Sequence, residues 1–442
     1  MAGKDFYIEK FKDIEKQLNG EKKTFFHQLR LNALNQLAGM NFPTQKNEEW
    51  KYTDVSPIVK ENFVPSIKSK LPNVNTTTIH SLLFKNFDFH LLVFINGIYN
   101  AELSKINSLP EGVLVGSLAN ILKYNPEIIK QYLNKNSKIS DAFDALNLSY
   151  SFDGTVVIIP DGIIVEAPIQ ILFLNSSAGE PALTTSKNLI VLGKNSQANI
   201  IANYRAESNE KYLNNTSTEI FVDEDSILNY YKIQNEKDDS FHIEKLFAEQ
   251  KNRSVFNHYN FNFGGSIVRN DLNTVLNGEN IETHYYGLYM VNGKQHIDNH
   301  TFVDHAKPNC MSNELYKGIL DDSARGVFNG KIIVRPDAQK TNAYQQNKTI
   351  LLSKTAAIDT KPQLEIFADD VKCSHGATVG HLDDASEFYI RSRGIPQELA
   401  KSMLIRAFAN DVIETIKIEP FKEQINHLIF EHLHKIEIKN EE

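Results

Sequence analysis

The sequence predicts a mainly β protein whose strand-rich core lies between two helical ends. After residue 153 the chain consists of short runs of β-branched residues, which favour buried strands. From about residue 189 to 378, turn signals recur about every 13 to 17 residues, with no helical period between them. After Gly394 the apolar spacing becomes helical. These patterns leave a double-sheet jelly roll and a parallel β-helix open, and the length of the strand region favours the β-helix.

The 442-residue chain is long enough for a large core with smaller flanking units. We place the boundaries where the pattern changes. The prediction is a helical and mixed N-terminal domain at residues 1–150, a β core at 151–380 and a helical C-terminal domain at 381–442.

The N-terminal part begins with apolar residues at helical spacing, from about residue 6 to 37. A strand is predicted at residues 91–95, and a helix at 121–133 that is interrupted at Pro126. Trp50, the single tryptophan of the chain, is expected to be a packing anchor.

The core begins with three runs of β-branched residues, at 155–159, 163–165 and 169–174. The polar segment 176–187 contains Gly and Pro and is predicted to be an exposed loop. The charge run 236–239 is interpreted as a solvated turn. Further turns are predicted at Gly264–Gly265, Asn277–Gly278, Asn292–Gly293, Pro308, Asp321–Asp322 and Pro336.

Two helices are predicted after the core, one beginning at Pro396 and one after Pro420. They would form either a lid over the open edge of the core or a docking platform for a partner. The predicted apolar face of the first helix comprises Ala400, Met403, Leu404, Ala407 and Phe408.

Composition excludes several functional classes. The net charge of -8 and the pI of about 6.0 argue against a nucleic-acid-binding surface. The N-terminus lacks the apolar segment of a signal peptide, and no apolar run approaches the ~20 residues of a membrane span. Cys310 and Cys373 form no Cys-x-x-Cys motif and suit a reducing compartment. We therefore expect a soluble cytoplasmic protein that binds neither membrane nor nucleic acid.

Motifs for enzymatic chemistry are missing from the sequence. None of the Gly-Lys pairs belongs to a Walker A loop, and there is no Gly-x-Gly-x-x-Gly and no Gly-x-Ser-x-Gly. A β-helix enzyme acting on polysaccharide remains the alternative function, and it would need carboxylates facing a groove.

Three histidines invite a zinc interpretation, at His296, His300 and His305. The residues between them favour a strand. In a strand His296 and His300 would lie about 13 Å apart, too far to share one ion, and His305 would face the other side.

Cys373 and His375 form a second candidate pair. If their segment is extended, they share one face roughly 7 Å apart. A thiolate beside an imidazole suits a metal ion. Ordinary packing is the alternative, because Cys is among the most buried residue types.

The segment around this pair resembles the C-terminal signature of the SufB/SufD family of iron–sulfur cluster assembly scaffolds, and within it the SufD branch. The resemblance rests on Cys373-Ser-His-Gly-Ala-Thr378, Phe388-Tyr389 and Ser392-Arg-Gly-Ile395. Further matches precede it in order: Glu49-Trp-Lys-Tyr-Thr53, Gln295-His-Ile-Asp298, Leu315-Tyr-Lys-Gly-Ile-Leu320, Val327-Phe-Asn-Gly330, Ala338-Gln-Lys-Thr341 and Gln345 to Asn347.

The resemblance implies a right-handed parallel β-helix with helical N- and C-terminal domains, and a non-enzymatic function. Such a chain pairs with its paralogue SufB, carries the ATPase SufC at its C-terminal helices and helps to assemble a nascent iron–sulfur cluster. It implies no cofactor bound stably by the chain alone. It leaves open whether the complex carries a reduced flavin and whether the isolated chain is a homodimer.

The resemblance also implies the site residues. His375 matches the histidine that faces SufB, with Cys373 beside it, and the flanking Ser374 and Gly376 favour the SufD branch over SufB. One thiolate and one imidazole supply part of a cluster site, so SufB would supply the rest. The expected partner-binding residues are Val371, Ala377, Arg391, Arg393, Met403, Leu404, Ala407 and Phe408.

Overall fold

The computed structural model of the chain describes residues 3–18, 24–67, 72, 74–135, 138–176, 179–207 and 210–439. Its core consists of sixteen strands that alternate between two sheets along the sequence. The core strands are β5 (Thr155–Ile159), β6 (Ile169–Asn175), β7 (Ala182–Leu192), β8 (Gln197–Ala206), β9 (Tyr212–Val222), β10 (Ile227–Asn235), β11 (Phe241–Gln250), β12 (Val255–Asn262), β13 (Ile267–Leu276), β14 (Glu282–Val291), β15 (His296–His305), β16 (Met311–Leu320), β17 (Arg325–Val334), β18 (Thr341–Leu351), β19 (Ala357–Ile366) and β20 (Val371–Gly380).

Each coil of the core contributes one strand to the first sheet and one strand to the second. Odd-numbered strands pair with one another in the first sheet and even-numbered strands in the second, always in parallel. The result is a parallel β-solenoid. The predicted mainly β core is confirmed, and the parallel β-helix is the correct one of the two architectures.

Side chains alternate between the interior and the surface along each strand. On β18, for example, Ala343, Gln345 and Asn347 are buried, whereas Tyr344 and Gln346 are exposed. The apolar inward residues of successive coils form one continuous cluster inside the solenoid. Its burial is the main source of the stability of the core.

The corners of the coils require a left-handed backbone. Asn and Asp adopt positive φ more readily than other non-glycine residues, and they occupy most of these corners. Such corners occur at Asn195, Asp225, Arg253, Asn280, Asn309 and Asp322. All the predicted turns from residue 264 to 336 fall between strands and are confirmed.

The N-terminal part covers the first coils. Its helices are α1 (Lys4–Gln17), α2 (Phe25–Gly39), α3 (Ser56–Lys60), α4 (Thr76–Leu82), α5 (Leu118–Tyr124), α6 (Pro126–Lys130) and α7 (Ala142–Tyr150), with a 3-10 turn at Glu48–Trp50. Its strands are β1 (Val64–Pro65), β2 (His90–Ile95), β3 (Ile98–Tyr99) and β4 (Leu114–Ser117). The predicted strand near residue 91 and the break at Pro126 are confirmed. Antiparallel β3 and β4 stand at the first edges of the two sheets.

Trp50 anchors this part as predicted. Its side chain is buried, with its ring centroid 5.4 Å from that of Phe143. The guanidinium of Arg269 on β13 lies 3.9 Å from the Trp50 ring centroid. Trp50 therefore ties the N-terminal part to the solenoid through a cation–π contact.

Three helices follow the solenoid: α8 (Asp384–Arg391), α9 (Gln397–Ile413) and α10 (Glu419–Lys439). The helices predicted after Pro396 and Pro420 are confirmed, whereas α8 was not predicted. Of the predicted apolar face of α9, Ala400 is buried, whereas Met403 and Ala407 are exposed. The residues of α9 that pack onto the outer side of the second sheet include Ile405, Ala409 and Val412.

Three further sequence interpretations are wrong. Residues 163–165 form no strand, because only Ile164 makes a bridge, to Gln197. The exposed loop predicted at 176–187 is wrong in its second half: residues 179 and 180 are exposed, but residues 182–187 belong to β7 and are buried, and 177 and 178 lie outside the described residues. The polar side chains of β7 find partners inside the solenoid; the Ser186 and Thr216 hydroxyls, for example, lie 2.6 Å apart. Buried hydrogen-bonded polar groups are tolerated, and composition alone does not reveal them.

Glu236, which was interpreted as part of a solvated turn, is buried. Its carboxylate lies 2.7 Å from Nδ1 of His242 and accepts from the amide of Asn175 at 3.2 Å. Burial by itself raises the pKa of Glu236, but His242 together with the amides of Gln234 and Asn214 outweighs this effect and lowers it.

None of the described helices combines the length and the apolar character that crossing a membrane would require.

Candidate functional site

The last coil of the solenoid, β19 with β20 and the turn between them, is here called the open end (residues 357–380). Within the described residues, β20 pairs with β18 alone and β19 with β17 alone. The outer edge of β20 therefore presents backbone N–H and C=O groups for pairing with another chain. The expectation that the segment of Cys373 and His375 is extended is confirmed.

Cys373 and His375 lie on the same side of β20, as predicted. In the parallel register Cys373 stands opposite Ala343 and His375 opposite Gln345, and both partners are buried in the interior. Cys373 is half-buried and packs against the solenoid cluster, whereas His375 is exposed. The pair therefore continues the interior rows of the solenoid at the point where no further coil covers them.

Burial raises the pKa of the Cys373 thiol, and the backbone of Ala343 opposes this effect. A metal ion at this thiol would therefore displace a proton. The second cysteine has another environment. Cys310 is buried, its pKa is raised to about 11 by burial, and its Sγ donates to the carbonyl of Gly278 at 3.2 Å. Cys310 is a structural residue of the interior.

The open end offers part of a coordination sphere. A metal ion at the open end would meet one sulfur ligand from Cys373 and one nitrogen ligand from His375, and both ligand types suit iron. In the described part of the chain, no group of three or more His, Cys, Asp or Glu side chains is arranged to hold a metal ion. An iron–sulfur cluster needs about four ligands. The residues present fit such a cluster as cargo shared with a second molecule.

Apolar side chains at the ends of β19 and β20 are exposed, and we call them the apolar rim of the open end. Phe367 is 62 % exposed and Val379 46 % exposed, and Ile366 also reaches the surface. Of the predicted partner-binding residues here, Ala377 is exposed and Val371 is half-buried. Sequence reasoning missed Phe367, although the adjacent apolar residues 366 and 367 at the end of a strand are a usable signal. Exposed aromatic residues of this size are typical of interfaces.

The remaining predicted partner-binding residues lie on or beside the C-terminal helices. On α8, Nη1 of Arg391 lies 3.7 Å from the carboxylate of Glu387. Just after it, the guanidinium of Arg393 lies 4.9 Å from the ring centroid of Tyr389 and donates to its hydroxyl at 2.7 Å. Phe388 is 74 % exposed. This helix therefore presents aromatic and cationic groups side by side.

On α9 the four predicted residues differ in exposure. Met403 and Ala407 are exposed, and Leu404 and Phe408 are half-buried. The ammonium of Lys317 on β16 donates to the carbonyl of Phe408 and lies 4.5 Å from its ring centroid. Phe408 thus helps to fix α9 on the solenoid, and the surface that is free for a partner is the one around Met403 and Ala407.

The three histidines of β15 lie on a strand, as predicted, and each has a structural partner. Nε2 of His300 lies 2.9 Å from the carboxylate of Asp298. Nε2 of His296 lies 2.8 Å from the hydroxyl of Thr53, and Nε2 of His305 lies 2.9 Å from the hydroxyl of Ser312. His296 and His300 belong to the contact between the N-terminal part and the solenoid.

Comparison with known proteins gives a consistent result. Residues 173–408 match the family described as SUF system FeS cluster assembly, SufBD core domain, and residues 1–171 match the SufBD protein N-terminal region. The chain belongs to the SufBD family. The core match includes β20 with Cys373 and His375, and it extends into α9.

Individual members of the SufBD family align over most of the chain. The iron–sulfur cluster assembly protein SufD of Escherichia coli is 33 % identical over 397 residues, which cover 89 % of this chain and 89 % of that SufD. A SufBD family protein of Synechocystis is 31 % identical over 93 % of this chain and 92 % of its own length. SufD of Bacillus subtilis is 25 % identical over 92 % of this chain and 94 % of its own. The resemblance found in the sequence is confirmed, and the chain is an iron–sulfur cluster assembly protein of this family.

Proposed function

We propose that this chain is a SufD-like scaffold subunit of a SufBCD-type complex, with no catalytic activity of its own. A nascent iron–sulfur cluster is its cargo, assembled between the open end and a SufB-like paralogue, and a SufC-like ATPase docks on its C-terminal helices. The observation that supports the proposal is the position of Cys373 and His375, which form a partial ligand set on a terminal strand whose outer edge has no partner among the described strands. Membership of the SufBD family favours this function over a polysaccharide-acting enzyme.

The partial ligand set suits transient binding. A complete set within one chain would hold a cluster tightly, because thiolate and imidazole ligands form strong bonds to iron. When two subunits each supply some of the ligands, separation of their surfaces removes part of the coordination and releases the cargo. A reduced flavin in the complex and a homodimer of the isolated chain are expectations that follow from the resemblance alone.

The test is coexpression of this chain with SufB-like and SufC-like partners, followed by iron and sulfide analysis of the purified complex. We expect His375→Ala to lower both contents severalfold without loss of the complex. Ser374→Ala is the matched control, because Ser374 is the neighbouring exposed residue on the opposite side of β20. Equal iron and sulfide in the His375→Ala and wild-type complexes would exclude His375 from the site.

A further inference from the structure

A row of polar side chains lies in the solenoid interior directly beneath His375. In successive parallel strands, His375 stands opposite Gln345, Gln345 opposite Glu314, and Glu314 opposite Tyr285. Adjacent strands are about 4.8 Å apart, so these side chains follow one another at hydrogen-bonding reach. Gln345 and Glu314 are almost completely buried, whereas His375 is exposed.

The buried members of this row have unused hydrogen-bonding capacity. Neither amide atom of Gln345 meets the geometry of a hydrogen bond among the described residues, and Oε1 of Glu314 has no partner there either. The other carboxylate oxygen of Glu314 accepts from the hydroxyl of Thr301 at 2.6 Å. Burial raises the pKa of Glu314 to about 7, and the nearby side chains of Thr301 and Gln345 oppose that rise. Buried polar atoms without partners are rare and call for an explanation.

The Gln345 side chain occupies space left by a glycine of the opposite sheet. Gly330, which stands beside Thr301 in the register of the first sheet, has no side chain. A Cβ at this position would lie 2.2 Å from Nε2 of Gln345. The interior is thus shaped around the Gln345 amide and places it below the ring of His375.

We infer that Gln345 is a positioning residue for His375. When a partner covers the open end, the Gln345 amide oxygen accepts from one ring N–H of His375, and its NH₂ group donates to the free oxygen of Glu314. This arrangement satisfies all three unpartnered atoms of the row. It also leaves the second ring nitrogen of His375 directed at a metal ion, as metal-binding histidines are oriented elsewhere. The inference rests on the proposed function, since it takes His375 as the residue that meets the metal.

The test measures binding of Co²⁺ alone to the complex of this chain with its SufB-like and SufC-like partners. We expect Gln345→Met, which keeps the length of the side chain but removes its hydrogen bonds, to weaken Co²⁺ binding by about 10-fold or more. The d–d absorption of the bound Co²⁺ should change as well, because the imidazole is no longer fixed, and a purely structural role would leave that spectrum unaltered. Gln346→Met is the control, since Gln346 is exposed on the outer side of the same strand.

The comparison of His375→Ala with Gln345→Met separates the inference from the proposed function. If His375→Ala weakens Co²⁺ binding and Gln345→Met does not, the inference is wrong and the proposed function stands. If His375→Ala has no effect, both fail. If Gln345→Met does not fold, Thr301→Val is the substitute variant, because the Thr301 hydroxyl donates to Glu314, the neighbour of Gln345 in the row. A severalfold weakening with an altered spectrum then supports the inference, and wild-type binding contradicts it.

Discussion

At the scale of single residues, the surrounding protein shields several ion pairs from water, and His300 with Asp298 is one of them. Burial by itself lowers the pKa of His300, but the carboxylate of Asp298 raises the pKa of His300 to about 9. Burial by itself would raise the pKa of Asp298. His300 and Arg269 together outweigh this effect and hold the pKa of Asp298 well below its usual range.

The His300 pair predicts a pH dependence of stability. The folded pKa of about 9 exceeds the unfolded value of ~6.5, so the stabilisation is complete below pH ~6.5 and is lost as the pH rises through 9. From the pKa difference, the loss is about 3 kcal/mol. We expect His300→Gln to remove most of this slope in denaturant unfolding measured between pH 6 and 9.5.

The control for this experiment is His427→Gln, because His427 lies on the exposed side of α10. Its pH profile should follow that of the wild type. An unchanged slope in His300→Gln would show that other groups cause the pH dependence.

Glycines provide a second prediction at this scale. Gly287 in β14 faces the ring of Tyr316, and a Cβ there would lie 2.2 Å from that ring. Gly287→Ala is expected to destabilise the fold by about 1–3 kcal/mol, because a buried ring must move. The melting temperature measures the effect. Gly376→Ala is the control, since a Cβ at Gly376 meets nothing within 4 Å; equal melting temperatures of the two variants would contradict the packing argument.

At the scale of elements, the main prediction concerns pairing of β20 with a partner. Its free edge is the predicted contact with the SufB-like subunit. Ala377→Pro removes one N–H and places a ring against the incoming strand, so we expect at least a tenfold loss of affinity between the two subunits. Ala377→Ser is the control. Titration calorimetry would measure the affinity, and undiminished binding by Ala377→Pro would rule out strand pairing at this edge.

The sequence predicted the elements with the clearest periods. The turns of the coils were identified because Gly, Pro, Asn and Asp stand at the corners, and the last two helices because Pro396 and Pro420 precede apolar spacing. It failed at β7, where polar residues are buried, since burial there depends on partners in the next coil. The buried side of α9 was also missed, because α9 has apolar residues on more than one face.

For the site, the sequence located Cys373 and His375 and their common face. It did not reveal Gln345 beneath them, because the register of one coil on the next is set by three-dimensional packing. The apolar rim at Phe367 was missed for the same reason. An apolar residue beside a strand is usually buried, and Phe367, which directly follows β19, is exposed because no further described coil covers it.

At the scale of the whole molecule, the two proposed contacts use different surfaces. The open end is expected to meet the paralogue, and the exposed side of α9 the ATPase. We predict that Met403→Asp with Ala407→Asp reduces binding of the SufC-like ATPase at least tenfold in pull-down titrations and leaves the paralogue bound. Charges in the centre of an apolar contact are costly.

The control for this prediction is Thr76→Asp with Thr77→Asp, which adds the same charge to the exposed start of α4. Retention of the ATPase by the α9 variant would assign docking to another surface. Loss of both partners would indicate that α9 supports the fold rather than a specific contact.

The two ends of the solenoid are unequal, and this limits how large an assembly can grow. At the first end, the short antiparallel strands β3 and β4 stand where a preceding coil would be, whereas no described strand covers β19 and β20 at the other end. A solenoid that can pair with another molecule at only one of its two ends cannot polymerise head to tail. If contacts form at the open end as proposed, two such molecules that meet there would block each other, and we expect a closed pair of solenoids rather than a filament.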